Sequence, residues 1–99
     1  MDEHKATVFA FLCADLGRKA AAVPEEIRAY MDNKIEAAYE RLVEDGVDMS
    51  DMTASRLDLW AMYAAYLYRR KDSNEAMPLS LRLALNDAKV VSITKGAGA

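Results

Sequence analysis

Histidine and cysteine are nearly missing from this 99-residue chain, which holds one of each, His4 and Cys13. A zinc site of ordinary ligand count cannot be built from that pair. A lone cysteine forms no intrachain disulfide, which fits a reducing compartment such as the cytoplasm. On a straight helix the two residues point to different sides. Cys13 therefore reads as a small buried hydrophobe rather than a nucleophile, and His4 as a solvated residue near a chain end. Glycine is scarce and scattered, at Gly17, Gly46, Gly96 and Gly98, so no phosphate-cradling loop is present. No apolar run approaches the roughly 20 residues that a membrane span needs. The opening Met1-Asp2-Glu3-His4 is acidic, unlike the basic start of a signal peptide. An excess of positive charge is also lacking: the net charge is -3, which argues against a general nucleic-acid binder.

What remains is a globular composition, 53% hydrophobic and 29% charged, at a length that fits one domain. Residues 1–50 hold 11 acids against 6 Lys or Arg, and residues 51–99 hold 5 acids against 7. The first half is thus acidic and the second basic. Such a chain could pack head-to-tail with its own copies, although a difference this small also arises by chance.

Helix formers dominate, and two prolines and four glycines do little to interrupt them. The pattern predicts an all-α bundle of four helices. The first covers residues 1–17, with Val8, Phe11, Leu12 and Leu16 at helical spacing and Gly17 as its stop. Residues 18–23, with three alanines, can form a loose turn. The second helix covers 24–45. Pro24, Glu25 and Glu26 suit its first turn, and Ile27, Met31, Ile35, Ala38 and Leu42 make one apolar face. Gly46 ends it. Asp51 or Thr53 can cap the third helix, 53–71, whose body is apolar or aromatic on nearly all sides. Such a helix belongs at a bundle centre or an interface. Its basic end, Arg69-Arg70-Lys71, suits the negative pole of the helix. A loop over 72–77 leads to Pro78 and a fourth helix, 78–89, with Leu81, Ala84, Leu85 and Ala88 on one face. Val90, Val91, Ile93 and Thr94 are β-branched and predict an extended arm. Residues 90–99 are then a mobile arm that could add to a neighbouring chain through main-chain hydrogen bonds.

No cofactor or metal site is expected, and the candidate positions are ones for contact. Asp32, Glu36, Glu40 and Glu44 recur every four residues and form a slowly winding acidic stripe. The plain reading is a solvated face, with Arg28 within pairing reach of Asp32. The functional reading is a surface for a basic partner, or one that keeps DNA from sticking in a channel. Trp60, Tyr63, Tyr66 and Tyr68 gather most of the aromatics. Trp60 belongs in the core. Tyr63 and Tyr66 share a side and Tyr68 sits elsewhere, so at least one tyrosine is expected at a subunit interface, where Tyr and Arg are enriched. Arg69 and Arg70 are either a helix end or a phosphate grip. Val90, Val91 and Ile93 are the contact residues of the arm.

Residues 60–87 carry a resemblance. An aromatic helix ends in Tyr66-Leu67-Tyr68-Arg69-Arg70. A polar loop follows, then Met77-Pro78 and Leu81-Arg82-Leu83-Ala84-Leu85-Asn86. This resembles the head–tail connector, or adaptor, proteins of tailed bacteriophages, and Ile35-Glu36-Ala37-Ala38 fits their second helix. The resemblance covers about two-thirds of the chain; residues 1–23 match only in being helical, and the C-terminal tail matches nothing. It implies a small helical bundle that assembles as a closed ring under the portal of the capsid. Such a ring extends the DNA channel, passes DNA without sequence-specific binding and receives a tail-side or stopper protein. It implies no catalytic residues, and a subunit made in the host cytoplasm that ends in the virion without a membrane partner. The rival expectation is a small cytoplasmic regulatory module whose aromatic helix docks a partner protein.

Overall fold

The computed structural model describes residues 2–70 and 76–97, with side chains for 3–70 and 76–93. The architecture is all-α: helices α1 (Asp2–Asp15), α2 (Glu25–Glu44), α3 (Ala54–Arg69) and α4 (Leu79–Ala97), with a short 3-10 turn at Ala20–Ala22. No strand occurs among the described residues. Lys71, most of the loop read at 72–77, and Gly98 and Ala99 of the expected mobile end lie outside the described residues.

Two glycines set the turns. Gly17 and Gly46 have positive φ, 72° and 90°, where a Cβ would be strained. Each ends its helix in a Schellman pattern. Arg18 N–H donates to Cys13 O (2.8 Å) and Gly17 N–H to Ala14 O (3.2 Å); Val47 N–H donates to Leu42 O (3.0 Å) and Gly46 N–H to Val43 O (3.1 Å). Val47 and Leu42 are both buried, so the second turn is also pinned by apolar burial. Of the two capping candidates at the third helix, Thr53 is the one used: its hydroxyl accepts from Arg56 N–H at 3.2 Å.

The helix α3 is central and packs against α1, α2 and α4. Its buried side chains include Leu59, Trp60, Tyr63 and Leu67 together with Ala61, Ala64 and Ala65. The alanines let neighbouring helix axes approach closely, while Trp60, fully buried, fills the centre. From α2 come Met31, Ile35, Ala38 and Leu42, as its spacing predicts. From α1 come Val8, Phe9, Leu12 and Cys13. This corrects the expected face of the first helix. Phe11 is 41% exposed, because at about 100° per residue it lies far round the cylinder from the 8–9–12–13 group.

The largest correction concerns the tail. Residues 90–97 do not form an extended arm; they continue α4 as helix. Leu81, Leu85 and Ala88 bury one face of that helix, and Ser92 prolongs the same face. Its hydroxyl donates to Ala88 O at 2.8 Å and accepts from Asp48 N–H at 2.8 Å. The α2–α3 connection is therefore tied to the second half of α4. That contact outweighs the weak strand preference of β-branched residues, which costs a helix only tenths of a kcal/mol per residue.

Candidate interaction surface

Two stripes run along α4. The inner one, Leu81, Leu85, Ala88 and Ser92, faces the bundle. The outer one lies on the opposite side and consists of Leu79, Leu83, Asn86, Val90 and Ile93, at steps of four, three, four and three. Its four apolar members are 65%, 59%, 60% and 70% exposed, in chain order. Leu79 and Leu83 were not among the expected contact residues, whereas Val90 and Ile93 were, as part of an arm. The helix carries them on a continuous face instead. Val91 is exposed but points elsewhere. It borders a groove of about 480 Å³ between α4 and the start of α3, with Asp48, Asp51, Arg56, Asp58 and Asp87 around it. Among the described residues no cluster of His, Cys, Asp or Glu is placed to hold a metal ion.

The acidic stripe is where the spacing puts it, with Asp32, Glu36, Glu40 and Glu44 all exposed. One member is engaged: Lys5 Nζ of α1 meets Glu36 Oε1 at 2.6 Å. Arg28 is not seated on Asp32; its guanidinium lies over the Phe9 ring at 4.6 Å, a cation–π contact that also shields the edge of the core.

The aromatics divide between core and rim. Trp60 Nε1 donates to Ile35 O at 2.8 Å, and the Tyr39 ring stands 5.0 Å from the indole. Tyr63 is buried and meets the half-buried Tyr66 edge-on at 6.1 Å. Burial pushes the Tyr63 phenol above its ordinary range, and Asp45 adds to the rise, while Arg41 at the hydroxyl opposes it. Tyr68 sits apart, as the spacing requires, edge-on to Tyr30 of α2 at 5.4 Å.

The two arginines at the end of α3 have intramolecular work. Arg69 Nη1 meets the Asp15 carboxylate at 3.0 Å and Nη2 donates to Asp15 O at 2.8 Å. It thus satisfies a terminal carbonyl of α1 and neutralises an acid at the unfavourable, negative end of that helix. Arg70 lies over the Tyr66 ring at 5.8 Å.

Cys13 is buried, and burial raises its thiol above the ordinary range despite the opposing charges of Arg28 and Arg18. No helix among the described residues is long and apolar enough to cross a membrane. No family model, curated protein or solved structure matches the chain.

Proposed function

We propose that this chain is an assembly subunit, acting by packing against copies of itself and against other proteins, and that its assembly is the head–tail connector ring of a tailed bacteriophage. The observation that carries the assembly reading is the outer face of α4. Scattered apolar residues are normal on a protein surface, but Leu79, Leu83, Val90 and Ile93 share one exposed helix face with Asn86 alone among them, which supports a contact site there. The choice of assembly rests on the resemblance of residues 60–87 to connector proteins. In that role the bundle sits between the portal and a tail-side or stopper protein, and DNA passes through the ring without sequence-specific contact. A net charge of -3 and an exposed acidic stripe suit a surface that must not retain DNA.

A second reading, a small cytoplasmic regulatory module, is favoured by one feature: the apolar strip is one helix wide, the shape that docks into a partner's groove. The two separate by mass. The chain is produced together with a tailed-phage portal protein, and the complexes are sized. A connector co-migrates with the portal as a high-order species. A regulatory module stays monomeric or dimeric and leaves the portal bare.

A further inference from the structure

We infer that the outer face of α4 is the seam of a parallel, two-helix pairing between two copies of this chain, with Arg82 of each copy opposite Asp87 of the other.

The spacing comes first. Steps of four, three, four and three at positions 79, 83, 86, 90 and 93 are the heptad pattern of a two-helix seam, and α4 carries it on the side away from its own core. The branched residues Val90 and Ile93 and the leucines Leu79 and Leu83 supply the knobs. Asn86 is the single polar residue in the row, and in a parallel register it meets its own counterpart, so the amides can bond across the seam. A buried polar pair of this kind fixes register at some cost in stability.

The charges then choose the partner and the direction. Arg82 and Lys89 flank the seam on one side, and Asp87 flanks it on the other. In a parallel pair, the flanking residue on one helix faces the opposite flank of its partner five positions later. Arg82 therefore faces Asp87 of the second copy, and two-fold symmetry makes the contact twice. An antiparallel pair brings equivalent flanks together instead: one register sets Arg82 beside Lys89, and the next sets Asp87 beside Asp87 and Lys89 beside Lys89, like charges in each. A chain whose charges are complementary to itself in one direction and repulsive in the other selects a second copy in that direction.

The seam is short. Nineteen residues of helix span about 28 Å, and two such helices bury less than the ~800 Å² per partner of a standard interface. The pairing is accordingly weak and concentration-dependent. It stands apart from the connector reading. The seam closes on two chains, so any ring needs another contact besides it.

Sedimentation equilibrium of the full chain and of three variants tests the pairing. The parent should form a dimer as concentration rises. Arg82→Glu and Asp87→Lys should each weaken it by about fivefold or more, because each turns two attractions into two repulsions, and the double variant should restore it. Both changed positions are exposed, and circular dichroism checks that each variant keeps its helix content. A chain that stays monomeric, a dimer that Arg82→Glu tightens, or oligomers indifferent to all three changes would overturn the inference.

Discussion

The indole N–H of Trp60 donates to the backbone carbonyl of Ile35 at 2.8 Å, so the largest core side chain of α3 is bonded to the middle of α2. That bond answers the polar atom that a fully buried tryptophan carries into an apolar core. Trp60→Ala should therefore lower unfolding free energy by about 3–5 kcal/mol. Trp60→Phe keeps most of the apolar volume but loses the bond, and should cost about 1–3 kcal/mol. Urea denaturation followed by circular dichroism checks both; a Trp60→Ala variant as stable as the parent is incompatible with a core at this site.

Arg69 and Asp15 join the ends of α3 and α1. Both side chains are about half exposed, so solvent screening keeps the pair modest. Arg69→Ala should cost no more than about 1 kcal/mol, and the cost should shrink as salt rises. Parallel denaturation curves at low and high ionic strength test this. A loss that is large and insensitive to salt would mean that packing of the Arg69 stem, not its charge, holds the helix ends together.

The acidic stripe divides into one engaged member and three others. Replacing Asp32 with Asn and Glu40 and Glu44 with Gln relieves like-charge repulsion at four-residue spacing and should raise the melting temperature slightly. Glu36→Gln also gives up the Lys5 pair, so it should bring no gain. Thermal melts of the two sets at low salt discriminate. Equal gains from both would show that the Lys5 contact is energetically empty.

Ser92 ties α4 to the α2–α3 connection. Ser92→Ala should cost about 0.5–1.5 kcal/mol, and a chain ending after Lys89 should lose both helix content and stability. Circular dichroism and melting of the truncated chain test this. Unchanged helicity and melting temperature would return residues 90–97 to the role of a dispensable arm.

Two buried groups make stability fall on the alkaline side. The Cys13 thiol and the Tyr63 phenol are both raised by burial. The unfolded chain thus releases these protons first. Their contribution is fully present below the unfolded values, about 8.5 and 10, and is lost as pH rises through the higher folded ones. At pH 8 a thiol reagent should label Cys13 only as fast as the protein opens, and at full speed in denaturant. Immediate labelling of the native chain would place the thiol outside the core.

Much of the fold is legible in the sequence. The face of α2, the stops at Gly17 and Gly46 and the cap at Thr53 depend on residues within a few positions of one another, and local spacing reports them. The face of α1 was less clear, because Phe9 and Phe11 are equally apolar and only the position of α3 decides between them. The end of α4 was misread for a tertiary reason. Val90, Val91 and Ile93 favour strands locally, while the contact of Ser92 with Asp48 lies 44 residues away in sequence. The candidate surface was hidden by the same error: once residues 90–93 are helical, they line up with Leu79 and Leu83, and a row that looked like two fragments becomes one face. Arg69 sits at the helix end that its place in the sequence suggests, but its partner, Asp15, is 54 positions away and leaves no local signal.

The central claim is that this bundle works by assembly, and electron microscopy of the chain mixed with a tailed-phage portal protein tests it most directly. Added density should sit on the portal axis, closed into a ring of helical subunits around an open channel. Portal particles with no added density, alongside chain that is folded and monomeric in the same mixture, would contradict it.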